Sequence, residues 1–271
     1  MSDFRPRRSA LFLPASNRRA IEKAGGLAAD VVILDLEDAV APELKAEARA
    51  AAVAAAREGF GDREVVVRVN ALDTPWGADD LAAISASGVG VLLPKIRNAG
   101  DVKTCRDRLS SETVLWLMIE TCEAIGRLQD IAEAGAAGFV LGVNDLALEL
   151  GARPGAERAW LAPVQAMVLA AARSRGLVAL DGVCNDFSDD ARLRAECNAA
   201  AAMGYDGKSL IHPKQIDVCN AAFSPSADEI AWATKVRDAF ADGDGGVIQV
   251  DGKMVEALHL AQADRILGMA P

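Results

Sequence analysis

The sequence predicts an α/β fold, a (β/α)8 barrel with a C-terminal extension of helix and hairpin. Eight short apolar runs recur along the chain, most of them separated by one Ala-rich or charged amphipathic segment. The runs are almost wholly apolar and are bounded by Gly and polar residues, which suits strands buried on both faces of a parallel sheet. The chain has 271 residues, and eight strand-then-helix repeats fill about 250. A doubly wound open sheet is the alternative that the same pattern admits.

The predicted strands cover residues 9–13, 31–36, 65–69, 89–93, 114–119, 138–141, 177–180 and 209–211. Amphipathic segments at 42–57, 78–85, 99–109, 123–134 and 188–203 supply helices, with Gly135 as a C-terminal stop for the fourth. A longer gap after Leu141 holds a loop at 151–155 and a helix at 159–175. The catalytic barrel is expected over 1–223 and the extension over 224–271, as a lid or an oligomerisation arm. Ser226 is a fitting N-cap for a helix at 227–240, and 242–246 reads as a Gly-rich link. Residues 247–255 read as a hairpin turning at Asp251-Gly252, before a last helix at 256–267.

Apolar residues make up 51% of the chain and aromatics 4%, so aliphatic residues and Ala must build the core. The net charge of −10 argues against nucleic acid or an anionic membrane as the main partner. It leaves room for an anionic small molecule in a local cationic pocket. Five scattered cysteines without a CxxC fit a reducing, cytoplasmic setting. Cys122 lies close to Glu120, but a small buried apolar role is the expectation for it. No signal peptide is expected, and no apolar run approaches the roughly 18 residues of a membrane span.

The chemistry gathers at 114–145. One apolar run ends in Glu120, a helical segment follows, and a second run leads through Gly142 to Asp145. In a βαβ unit these strands are parallel and, if adjacent, about 4.8 Å apart. Both carboxylates would then converge above the sheet, an oxygen-only site suited to Mg²⁺ or Mn²⁺. The alternative is that each carboxylate caps the next helix. Other strand ends carry Asp35, Glu37, Asp38, Arg68, Asn70, Lys95, Asp181 with Asn185, and His212. In a barrel that face is the active site.

Five stretches in order carry a resemblance: Arg8-Ser9 with Pro14, the acidic run from Leu34 to Val40, Val67-Arg68-Val69-Asn70, Leu93-Pro94-Lys95 and Ile211-His212-Pro213. Together they resemble the citrate lyase beta-subunit family, which includes malyl-CoA, citramalyl-CoA and other β-hydroxyacyl-CoA lyases. Asp251-Gly252-Lys253-Met254 resembles the stand-alone CoA-thioester lyases of that group. The resemblance implies a Mg²⁺-dependent retro-Claisen or aldol cleavage and assembly into trimers or hexamers. Glu120 and Asp145 match its metal ligands, and Arg68 the arginine that binds the oxo-acid end of the substrate. A fixed guanidinium pairs bidentately with a carboxylate, although a structural salt bridge to Glu37 or Asp38 would use Arg68 as well. Glu37 and Asp38 resemble the acidic pair that holds water at the metal and orients Arg68. They would otherwise cap the helix region at Pro42 or balance Lys45 and Lys95. Lys23, Arg18 and Arg19 match basic residues used for the CoA phosphates, with a solvated helix face as the alternative. Asp251 matches a catalytic acid that reaches the adjacent subunit. His212 is expected to position or pack, and His259 to lie at the surface.

The implied reaction is cleavage of a malyl-CoA or citramalyl-CoA type thioester to acetyl-CoA and a 2-oxo acid. A citryl-lyase subunit of a multi-component citrate lyase, and a non-catalytic barrel that binds CoA esters, remain open.

Overall fold

The computed structural model describes residues 5–153, 158–241 and 247–270. Eight parallel strands form a closed barrel in chain order: β1 (Ser9–Pro14), β2 (Val31–Asp35), β3 (Glu64–Arg68), β4 (Gly90–Leu93), β5 (Leu115–Ile119), β6 (Gly138–Leu141), β7 (Val178–Asp181) and β8 (Gly207–Leu210). Closure excludes the open sheet, because β8 pairs with β1 in register Ala10↔Ser209 and Leu11↔Leu210. Each predicted run is a strand, with its ends moved by a residue or two.

Side chains alternate between the two faces of a strand. Ala10, Ile33, Val66, Leu92, Trp116, Met118, Val140 and Leu180 pack together as a buried apolar cluster. The same alternation sends the residues two positions further on toward the upper end of the interior. Those are Asp35 after Ile33, Arg68 after Val66, Glu120 after Met118 and Gly142 after Val140. An aliphatic plug therefore supports a polar layer directly above it.

The surrounding helices are α1 (Arg18–Ala24), α2 (Lys45–Glu58), α3 (Gly77–Ser85), α4 (Ala99–Arg106), α5 (Cys122–Ile125), α6 (Leu128–Glu133), α7 (Val143–Glu149), α8 (Ala162–Ser174) and α9 (Asp190–Met203). The helix expected over 123–134 is two short ones. Gly126 closes the first turn, and Arg127 leaves helical geometry at φ −132° before α6 begins. α7 is a helix beyond the expected elements; it starts directly after Gly142 and places Asp145 in its first turn. A 3₁₀ turn, Arg158–Leu161, precedes α8.

Residues Arg7–Asn220 form one compact unit. α10 (Ile216–Phe223) carries the chain into a second unit that runs from Ala221 onward. There α11 (Ala227–Ala241), β9 (Ile248–Val250), β10 (Lys253–Val255) and α12 (Ala257–Met269) enclose their own core of Ala233, Val236, Val250, Val255 and Ala263. Ser226 does cap α11: its Oγ accepts from Glu229 N–H at 3.2 Å, and its own N–H donates to Glu229 Oε2 at 2.7 Å. β9 and β10 pair antiparallel through Asp251 and Gly252, both left-handed at φ +49° and +77°. That geometry matches the twist of a two-residue hairpin. The predicted link at 242–246, and residues 154–155 of the predicted loop, lie outside the described residues.

Among the described residues no helix is long and apolar enough to cross a membrane. The five cysteines are free thiols. Cys122 is exposed rather than buried as expected, because Thr121 turns inward to cap α5 and leaves the next side chain outside.

Candidate active site

A cavity of about 370 Å³ opens at the carboxyl end of the barrel, lined by Phe12, Asp35, Arg68, Glu120, Gly142 and Asp145 among others. Arg68 is fixed from three directions. Its Nε and Nη2 donate to the two oxygens of Asp35 at 2.7 and 2.6 Å. Its Nη1 lies 2.8 Å from Glu37 Oε2, and the guanidinium stacks on Phe12 with 4.9 Å to the ring centroid. Burial opposes the charge of Arg68, but Asp35 and then Glu37 outweigh it and raise its pKa. The guanidinium is therefore a permanent, oriented cation facing a concave site.

Glu37 pays for that arrangement. Burial pushes its carboxyl up to about 8 despite Arg68, and the charge of Glu120 adds to the shift. Its Oε2 is near Arg68 but out of line for a hydrogen bond. Asp38 is not a partner of Arg68; its side chain is 64% exposed at the mouth. Lys45 balances neither carboxylate, since its Nζ donates to the backbone carbonyls of Leu36 and Glu37 at 2.8 and 2.9 Å. No side chain caps the 3₁₀ turn at Pro42–Leu44.

Glu120 is fully buried at the end of β5. Its Oε1 accepts from Lys95 N–H at 2.7 Å, whereas its Oε2 is buried without a hydrogen-bond partner. Gly142 makes room for it: a Cβ there would lie 2.3 Å from Glu120 Cβ and 2.7 Å from Oε2. Neither acid caps a helix. Thr121 caps α5, and α7 has no side-chain cap. Lys95, left-handed at φ +53°, brings its ammonium 2.5 Å from Asp145 Oδ1 and 3.9 Å from Glu120 Oε1. Burial raises the Glu120 pKa, partly offset by Lys95.

Five carboxylates, those of Asp35, Glu37, Asp38, Glu120 and Asp145, thus surround two cations, Arg68 and Lys95. The surplus is negative, the donors are all oxygen, and the buried Glu120 Oε2 has no hydrogen-bond partner. These features fit a hard divalent ion held by Glu120 and Asp145. Among the described residues no three His, Cys, Asp or Glu side chains form a ready cage. Water would have to complete the shell, as Mg²⁺ commonly requires.

Residues 8–213 match the model of the HpcH/HpaI aldolase/citrate lyase family. This chain belongs to that family. It is 44% identical over 271 residues to a (3S)-malyl-CoA thioesterase of Cereibacter sphaeroides, covering 98% of this chain and 95% of the relative. It is 33% identical to an L-malyl-CoA/beta-methylmalyl-CoA lyase of the same species, covering 98% and 95%. Among solved structures it resembles the protein CitE from Mycobacterium tuberculosis in complex with magnesium, acetoacetate and coenzyme A. That likeness has a TM-score of 0.81 and 35% identity, over 98% of this chain and 97% of the other.

Not every polar strand end of this citrate lyase family barrel faces the cavity. Asp181 was expected there and is instead fully buried outside the barrel wall. It accepts from Arg158, Gln165 and Lys208 at 2.7–3.0 Å. The reason is alternation: Leu180 belongs to the interior cluster, so the next side chain points out. Asn185 pairs reciprocally with Asn144 at the rim. Asn70 donates to Leu36 O and Asp80 and braces the loop after β2. Arg8 is tied to Asp30 where β1 begins, at the opposite end of the barrel. His212 accepts from Lys214 N–H at 3.2 Å and stacks on Phe187 at 4.7 Å. His259 is half-buried, and its Nδ1 accepts from Glu256 N–H. Arg18, Arg19 and Lys23 are exposed on α1, with Arg18 paired to Glu47 at 3.1 Å. Asp251 sits in the hairpin turn and is paired with Lys235 at 2.8 and 3.0 Å. Cys122 carries no nucleophile signature: slight burial and Glu149 both raise its thiol pKa.

Asp35 and Lys95, which the strand ends mark without a role, also shape the site, as do Phe12 and Gly142. Strand alternation marks Phe12, Asp35 and Gly142. Nothing local in the sequence marks the inward turn of Lys95.

Proposed function

We propose that this protein is a Mg²⁺-dependent hydrolase of a malyl-CoA type thioester, releasing malate and CoA. The convergence of Arg68, Glu120 and Asp145 in one cavity carries this reading, since a 2-hydroxy acid presents matching oxygens. The 44% identity to a (3S)-malyl-CoA thioesterase supports hydrolysis as the reaction. Arg68, pre-oriented by Asp35 and Glu37, grips the carboxylate beside the hydroxylated carbon. Glu120 and Asp145 would hold the ion, which when bound supplies positive charge to the oxygens of the hydroxy acid. Arg18, Arg19 and Lys23 supply exposed cations for the CoA phosphates. Asp251 accepts the proton of the water that attacks the thioester carbonyl. The C–S bond breaks, and the thiolate leaves to become CoA thiol. Oligomers, trimers or hexamers, are part of the same proposal, with Asp251 donated between subunits.

A second reading is carbon–carbon cleavage of the same substrate to glyoxylate and acetyl-CoA. It rests on the same convergence, since groups that grip the hydroxy acid would act on its hydroxylated carbon rather than on the thioester. Asp251 would then protonate the enolate carbon of acetyl-CoA. One experiment separates the two. Malyl-CoA is incubated with the protein and Mg²⁺, and free thiol and glyoxylate are followed together. Hydrolysis releases thiol and malate without glyoxylate; cleavage releases glyoxylate without thiol. Release of neither, with Mg²⁺ and intact oligomer present, overturns both.

A further inference from the structure

Four carboxylates lie within 4 Å of the Lys95 ammonium: Asp145 at 2.5 Å, Asp38 at 3.8 Å, and Glu37 and Glu120 at 3.9 Å. Two of them are the proposed metal ligands. The lysine does not reach this point by default. It follows Leu93 and Pro94 at the end of β4, and its left-handed backbone, φ +53°, turns it inward. A non-glycine residue pays for that conformation, so the fold must hold it there. The same turn brings Lys95 N–H to Glu120 Oε1 at 2.7 Å. One residue thus fixes one oxygen of Glu120 by its backbone and lays its charge between Glu120 and Asp145 by its side chain.

We propose that the Lys95 ammonium is a built-in counter-cation of the metal-free site, and that a divalent ion binds by displacing it toward Asp38 at the mouth. The inference rests on the reading of Glu120 and Asp145 as metal ligands. A monovalent ammonium on Asp145 Oδ1 competes directly with an ion that needs that oxygen at about 2.0–2.1 Å. It leaves Glu120 Oε2, buried and unpartnered, as the oxygen it does not satisfy. Asp38 gives the displaced ammonium a destination, because it is 3.8 Å away and mostly solvated. Lys95 is therefore a positioning residue. It keeps two acidic side chains in place before the ion arrives and sets how tightly the ion is held.

The test measures metal binding, not turnover. Mn²⁺ affinity is measured by calorimetry or by the spin resonance of free ion, for the wild type, Lys95→Met and Lys95→Arg. Lys95→Met keeps the length and removes the charge. It should bind Mn²⁺ at least about tenfold more tightly, as expected when a unit charge about 4 Å from the ion is removed. Lys95→Arg should stay near or below the wild type. In parallel, acylation of Lys95 in the wild-type protein is followed by peptide mass spectrometry, and it should be faster with Mg²⁺ than without. Equal or weaker binding by a folded Lys95→Met overturns the proposal. Unchanged Lys95 acylation in protein shown to hold metal overturns it even if that variant does not fold. Failure of both wild type and Lys95→Met to bind metal instead overturns the underlying assignment of Glu120 and Asp145.

Discussion

Arg68 and Asp35 face each other across β3 and β2 as a two-pronged pair, with Nε to Oδ1 at 2.7 Å and Nη2 to Oδ2 at 2.6 Å. Register explains the pairing: Asp35 and Arg68 are directly opposed in the β2–β3 ladder. Both side chains lie in the barrel interior, above Ile33 and Val66. The pair fixes the plane of the guanidinium, with Nη1 held 2.8 Å from Glu37 Oε2, and that is the plane in which the proposed function has a substrate carboxylate received.

Arg68→Lys keeps the charge and loses the fork. Lysine offers a point charge that cannot match both oxygens of Asp35. Turnover should fall by roughly 10²-fold or more, the scale of a lost oxyanion donor. Saturation with CoA itself should change little. Steady-state kinetics with malyl-CoA, alongside CoA binding by calorimetry, checks this. Normal turnover would mean that the substrate carboxylate is held elsewhere.

Asp181 calls for the opposite expectation. It is buried with Lys208, which is 0% exposed, and with Arg158. Burial opposes its charge, but Lys208 and then Arg158 lower its pKa below the ordinary carboxylate range. A lowered folded pKa contributes stability above the unfolded value, and that stability is lost as pH falls through the folded value. Asp181→Asn leaves Lys208 with Glu196 as its remaining ionic partner, at 3.1 Å. Breaking a buried pair from one side costs about 3–5 kcal/mol. Chemical denaturation at neutral pH should show a loss on that scale. Soluble protein that survives should keep its metal affinity, since this cluster lies outside the barrel wall.

These two aspartates show what was legible in the sequence and what was not. The strands were readable because each is a short apolar run between polar breaks. The convergence of Arg68, Glu120 and Asp145 on one cavity was readable because each ends or follows such a run. Asp35 and Asp181 both end strands, yet they face opposite ways. Alternation from Ile33 and Leu180 separates them, but only once the interior positions are known. The helix at 123–134 failed for a local reason, the break at Gly126 and Arg127, which periodicity smooths over. Lys95 was legible as a strand-end residue on that face, but its left-handed turn was not, because a positive φ at a lysine leaves no trace in hydrophobic pattern.

Glu37 gives a pH dependence. Its carboxyl is raised from about 4.5 to about 8, chiefly by burial. A raised folded pKa means that the folded state binds the proton more tightly than the unfolded chain. This contribution is therefore fully present below about 4.5 and is lost as pH rises through about 8. In the presence of a chelator, the melting temperature should decline across that window. Glu37→Gln removes the titrating group and should flatten the decline. An unchanged slope in Glu37→Gln would assign the pH dependence to other groups.

Asp251 supplies the last test. It lies in the hairpin turn, left-handed at φ +49°, and its carboxylate accepts from Lys235 at 2.8 and 3.0 Å. Both side chains are more than half exposed, at 57% and 58%. Such a pair contributes little stability and opens at little cost. The carboxylate is thus available to another site when that site is filled. Asp251→Asn cannot accept a proton from water or donate one to an enolate. Turnover should fall by about 10²-fold or more by either route, while Mn²⁺ affinity stays at the wild-type level. Mixing Asp251→Asn protein with Arg68→Ala protein then tests donation between subunits. A mixed assembly can contain sites with the intact barrel of the first and the intact Asp251 of the second. Partial recovery of activity is expected, once differential tagging has confirmed that mixed oligomers form. If they form and activity stays at the level of the separate variants, Asp251 acts within its own chain or not at all.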